Sequence, residues 1–104
     1  MEIEDVESLV TDKTAVLLYF YNDNCPPCKI LRPKVKDLVQ DNFPQIEFRL
    51  INAELFPATS AQYGAFSSPT LLVFFEGKEY IRESKNISIS ELHDKIYRFY
   101  TMIY

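Results

Sequence analysis

Tryptophan is absent from this chain, glycine occurs twice, cysteine twice and histidine once. Each scarcity excludes something. Two cysteines are too few for the disulfide-dense scaffold of a small secreted domain. Only His93 is left to join them, which does not make the four ligands of a structural zinc site, so no metal is expected. Basic residues are outnumbered, 11 Lys and Arg against 15 Asp and Glu for a net charge of −4. Phosphate binding needs a basic patch, so nucleic acid is not an expected partner. No apolar run reaches the ~20 residues that span a bilayer, and no membrane association is expected. The start, Met1-Glu2-Ile3-Glu4-Asp5, is acidic and lacks the basic and apolar stretches of a signal peptide. The expectation is a cytoplasmic monomer with a solvated surface. Its 104 residues hold no repeat, low-complexity tract or linker, and suit one two-layer domain over 1–104.

What is present is a folded globule's composition, 47% hydrophobic and 14% aromatic. The two cysteines lie three positions apart in Asn22-Asp23-Asn24-Cys25-Pro26-Pro27-Cys28-Lys29. An apolar run, Ala15 to Tyr21, precedes them and reads as a strand covered on both faces. The segment after them has helical spacing, with Ile30, Leu31, Val35, Leu38 and Val39 on one broad face. Lys29, Arg32, Lys34, Lys36 and Asp37 take the solvated outer face, and Pro33 should kink the helix. Cys25 then stands at a helix N-terminus, where free N–H groups and the macrodipole favour a negative charge. Such an environment lowers a thiol pKa, and the thiolate is the reactive form. Pro26 and Pro27 fit the first turn, whose N–H groups have no partner within the helix. Cys28, one turn in, is placed to close a small disulfide ring.

The remaining chain supplies a short helix over Asp5–Thr11, a less buried strand over Ile46–Ile51 and a weak helical segment over Phe56–Tyr63 stopped by Gly64. A third strand over Thr70–Phe75 turns at Glu76-Gly77-Lys78 into a hairpin partner, Glu79–Glu83. Ser88 or Ser90 caps a last helix with Leu92, Ile96, Phe99, Tyr100 and Ile103 on its buried face. His93 is expected at the surface. Strands joined through helices are expected as parallel neighbours, with the hairpin as an antiparallel edge.

In this order stand Phe20, the Cys-x-Pro-Cys-Lys core at Cys25–Lys29, Pro33, Asn52, Tyr63-Gly64, Pro69-Thr70 and Gly77. Together they resemble the thioredoxin family over nearly the whole chain. The resemblance implies an α/β, thioredoxin-like fold with a central mixed sheet of four or five strands flanked by helices. It implies a thiol–disulfide oxidoreductase without a bound cofactor, with Cys25 as attacking thiol and Cys28 as resolving thiol. It further implies a cis Ser68–Pro69 bond beside the pair and a docking surface of Asn24, Pro26, Pro27, Ser68 and Pro69. The expected partners are protein disulfides and an electron-donor reductase or dithiol. The chain departs from the family at Asn24 for tryptophan, at Pro26 and Lys85 for glycine, and at Tyr19 and Leu50 for a buried aspartate and lysine. Those departures suggest a partner of its own and leave a second reading, a protein-binding module whose dithiol is incidental or regulatory.

Overall fold

A computed structural model describes residues 3–104, so Met1 and Glu2 of the acidic start lie outside the described residues. The elements are α1 (Ile3–Asp12), β1 (Ala15–Tyr21), α2 (Pro26–Asn42), β2 (Glu47–Asn52), α3 (Pro57–Gln62), β3 (Thr70–Phe75), β4 (Lys78–Ser84) and α4 (Ile89–Ile103). The four strands form one mixed sheet in the order β2-β1-β3-β4. β1 pairs parallel with β2 and antiparallel with β3, and β3 pairs antiparallel with β4.

The direction of β3 corrects the expectation that helix-linked strands run parallel. α3 is only six residues long. At about 1.5 Å per residue it covers roughly 9 Å, about half the length of the strands it would have to run back along. The chain therefore re-enters the sheet from the end at which it left β2. Thr70, the first residue of β3, consequently pairs with Phe20 near the end of β1. That brings Ser68-Pro69 and Cys25 to the same end of the sheet.

Alternation along the central strands divides the core into two layers. Val16, Leu18 and Phe20 of β1, with Leu72 and Phe74 of β3, pack under Val6 and Val10 of α1 and Ala65 after α3. Ala15, Leu17 and Tyr19, with Leu71, Val73 and Phe75, pack under Val35, Leu38 and Val39 of α2 and Leu92 and Ile96 of α4. All six residues of β3 and the first six of β1 are buried, as their unbroken apolar runs require. β2 lies at an edge, and only its last two residues are buried. The β3–β4 hairpin turns at Glu76 and Gly77, both with positive φ (52° and 81°), a geometry whose twist matches that of the strands. Ser88 caps α4 by accepting from the Glu91 N–H at 3.3 Å. Among the described residues no helix is long and apolar enough to cross a membrane.

Ile30 of α2 sits elsewhere than the helical pattern predicts and is 65% exposed. It lies two residues from buried Cys28, about 200° around the helix, and therefore faces away from the sheet. His93 lies at the surface, as expected, with its ring 5.4 Å from that of Phe43 and stacked on Tyr97 at 6.0 Å.

Candidate active site

The site forms where β1 ends and α2 begins. Asn22 and Asn24 shape the connecting loop, the Asn24 N–H donating to Asn22 Oδ1 at 2.9 Å. Cys25 is the N-cap of α2, with extended backbone, and Pro26 and Pro27 occupy the first helical positions. The Cys28 N–H, one of the donors that the start of a helix leaves free, points at Cys25 Sγ at 3.2 Å and also at Cys25 O at 3.1 Å. The sequence thus builds a cap in which sulfur stands where Ser, Asp or Asn oxygen is usual. Cys25 and Cys28 are joined as a disulfide with their Cα atoms 5.3 Å apart. Cys25 retains 6% of its surface, whereas Cys28 has none. Approach from solvent therefore meets Cys25 first.

Behind the pair, no carboxylate is buried among the described residues. Tyr19, fully buried, directs its hydroxyl at the backbone carbonyl of Cys28 and donates to it at 3.0 Å. Burial pushes its pKa up to about 12, against a smaller lowering by the Arg32 charge, so the phenol stays neutral at physiological pH. Leu50 is its pairing partner on β2 and is partly buried against the same core. Arg32 does not lie on the solvated face to which its spacing assigned it. It is half-buried, with its guanidinium carbon 4.5 Å from the centre of the Tyr21 ring. Asn52, buried at the end of β2, accepts from the Glu54 and Leu55 N–H groups and donates to Asp23 Oδ2 at 3.4 Å, tying the dithiol loop to the edge strand.

In front, the Ser68–Pro69 bond is cis. Pro69 is buried and Ser68 half-buried. The Pro69 carbonyl accepts from the Lys85 N–H at 2.9 Å. Lys85 takes a left-handed conformation with φ 63°, which suits the glycine whose place it holds. Lys85, Asn86 and Ile87 form one wall of an open, mostly apolar groove of about 560 Å³ whose other wall is Pro26, Pro27, Ile30 and Leu31. Of the five residues expected to form a docking surface, Pro26 and Pro27 line this groove, and Pro69 joins it through Lys85. Asn24 is exposed on the loop at the same end.

Spacing alone left Arg32, Tyr21 and Asn52 without roles at the site. For Arg32 the signal was present: it stands four residues after Cys28, so the two share a helix face. For Tyr21 and Asn52 the only signal was their place at the ends of paired strands.

A family model described as Thioredoxin matches residues 2–98. The thioredoxin-like protein YdfQ of Bacillus subtilis is 27% identical over 97 residues, covering 93% of this chain and 86% of that protein. Chloroplastic thioredoxin M2 of Arabidopsis thaliana is 38% identical over 74 residues, 70% of this chain but only 40% of the plant protein's length. The X-ray structure of Fasciola hepatica thioredoxin superimposes with a TM-score of 0.83 over 93% of each chain, at 27% identity.

Proposed function

The chain belongs to the thioredoxin family, and on that premise we propose that it reduces protein disulfides through a dithiol–disulfide cycle of Cys25 and Cys28. The observation that carries this reading is the capping geometry. A sulfur that accepts from an N–H of a helix's first turn at 3.2 Å is placed to hold a negative charge once the disulfide opens.

In the reduced protein the Cys25 thiolate attacks one sulfur of a substrate disulfide. The substrate's S–S bond breaks, one substrate sulfur leaves as a thiolate that takes a proton from water, and a mixed disulfide forms on Cys25. Cys28 then loses its proton and attacks Cys25 Sγ. This closes the Cys25–Cys28 bond and releases the second substrate thiol. The substrate gains two electrons and the protein loses two, which a donor reductase or dithiol must return. Burial of Cys28 confines it to this second, internal step. Asn24, Pro26, Pro27, Ser68 and Pro69 form the docking surface, with the neighbouring apolar groove available to substrate side chains. Tyr19 is not the proton acceptor, since its neutral hydroxyl is committed to a carbonyl.

Insulin reduction with dithiothreitol as electron donor tests the reading. Turnover should be present in the wild type and abolished in Cys25→Ser and Cys28→Ser. Wild-type protein that fails to turn over, with a Cys25 no more reactive than a free thiol, would leave the protein-binding module as the better account.

A further inference from the structure

We propose that Arg32 sets the redox poise of the dithiol: its guanidinium, seated on the Tyr21 ring one turn beyond Cys28 on α2, is the fixed positive charge that favours the thiolate of the reduced pair. The inference rests on the reading of Cys25 and Cys28 as a dithiol–disulfide couple and adds a residue to it.

Three observations place the charge. Arg32 follows Cys28 by four residues, so both look from α2 towards β1, and long helical side chains lean back towards the helix N-terminus. The guanidinium is held over Tyr21, the last residue of β1, at 4.5 Å, within the range of a cation–π contact. Its field reaches the Tyr19 hydroxyl, where it opposes the effect of burial, and that hydroxyl is 3.0 Å from the Cys28 carbonyl. The cation therefore lies beside Tyr19 and Tyr21, on the helix face that carries Cys28.

Its charge is not cancelled by a carboxylate. Among the described residues, Arg32 belongs to none of the ion pairs, and no carboxylate is buried. The two side chains that share its site, Tyr19 and Tyr21, are phenols. The other charges around the dithiol are Asp23 in the preceding loop, bonded to Asn52, Lys29 on the exposed side of α2, and Lys85 across the groove. Asp23, Lys29 and Lys85 all reach solvent, which screens them, whereas a half-buried guanidinium on an aromatic face is screened less. The oxidised pair is neutral and indifferent to the field. The reduced pair carries a thiolate and is stabilised by it. The cation thus favours the reduced form and makes the couple a better electron acceptor.

The test equilibrates full-length wild type, Arg32→Met and Arg32→Lys in glutathione and glutathione disulfide at pH 7. The oxidised fraction is read by thiol trapping, and alkylation rates against pH titrate each cysteine. Arg32→Met keeps an apolar stem on Tyr21 without charge. It should shift the equilibrium threefold to tenfold towards the disulfide, where tenfold corresponds to about 30 mV, and should move thiolate formation to higher pH. Arg32→Lys should restore most of both. An unchanged equilibrium in Arg32→Met would overturn the proposal. So would an Arg32→Lys shifted as far as Arg32→Met, since Arg32 would then act by packing alone. Should Arg32→Met fail to fold in a urea titration, Arg32→Gln is judged by the same criteria. A wild-type pair that does not exchange with glutathione would overturn the dithiol reading itself, and this inference with it.

Discussion

The two faces of the central sheet are cut from the same strands but differ in chemistry. On the α1/α3 side, β1 and β3 present Val16, Leu18, Phe20, Leu72 and Phe74, all apolar and all buried, and the one buried hydroxyl of their row, on Thr70, donates to the nearby Ser67 carbonyl. On the α2/α4 side, the alternate residues of β1 end in Tyr19 and Tyr21, which meet a disulfide and a guanidinium. The first face is governed almost wholly by packing. The other must hold a sulfur pair that changes charge, so its last turn of core includes hydroxyls and a cation. Every polar group there needs a partner, because an unpaired one would cost about 1–3 kcal/mol. Tyr19 finds the Cys28 carbonyl and Arg32 the Tyr21 ring. Stability and reactivity are therefore governed by different halves of the same strand, and substitutions should separate them.

The largest effect is expected on the apolar face. Phe20→Ala should destabilise by about 3–5 kcal/mol in chemical denaturation, through lost burial and the cavity left behind. The folded fraction should keep the wild-type rate of Cys25 alkylation. A large change in that rate would mean that the two layers are coupled.

On the reactive face, Tyr19 should make stability fall with alkali. Burial raises its folded pKa to about 12, above the ordinary phenol value of about 10. The favourable neutral phenol is fully present below pH 10 and is lost as pH rises through the folded value. Over that window the loss should approach about 2–3 kcal/mol. Tyr19→Phe should flatten this slope, while costing about 1 kcal/mol near neutral pH for the lost hydrogen bond. Denaturation midpoints from pH 8 to 12 read both effects.

The same variant tests the chemistry. Release of a mixed disulfide by Cys28 should accelerate as pH rises, because among the described residues no buried carboxylate is present to take its proton. Single-turnover decay in Tyr19→Phe should keep that pH profile, with a rate within a few fold of the wild type. A severe slowing would make the hydroxyl a proton carrier and would contradict the bond it makes to the carbonyl.

The smallest effect concerns Lys85, whose φ of 63° is strained for a residue with a Cβ. Lys85→Gly should stabilise by roughly 0.5–1 kcal/mol, the relieved strain less glycine's greater freedom when unfolded. Its effect on small-disulfide exchange should be slight. A loss of stability would show that the lysine side chain contributes packing in the groove that outweighs its strain.

The cysteine pair, its prolines and the strand before it were legible because each is a local feature. A strand running into Cys-x-x-Cys and a helical pattern places the first sulfur at a helix N-terminus whatever surrounds it. Resemblance, rather than residue pattern, supplied the cis bond at Pro69 and the place of Tyr19. The helical period was read too broadly at two positions. It puts Ile30 on the buried face and Arg32 on the solvated one, whereas the structure exposes Ile30 and half-buries Arg32. Ile30 is about 200° from Cys28, whereas Arg32 is about 40° from it. The pattern of apolar letters outweighed that angle because an arginine on a buried flank is uncommon unless something receives its charge. What receives it is Tyr21, 11 residues earlier in the chain.

Local pattern in the chain sufficed for the order of helices and strands, the two-sided burial of β1 and β3, and the sulfur that caps α2. These follow from side-chain period and from the few residues that can start or stop a helix. Packing between distant segments is what makes β3 run antiparallel to β1, joins Lys85 to Pro69, and seats Arg32 on Tyr21. The physical reason is that local pattern fixes which side of an element is apolar. What covers that side, and which distant charge comes to lie against it, depends on the length of the connections and on how separate segments pack.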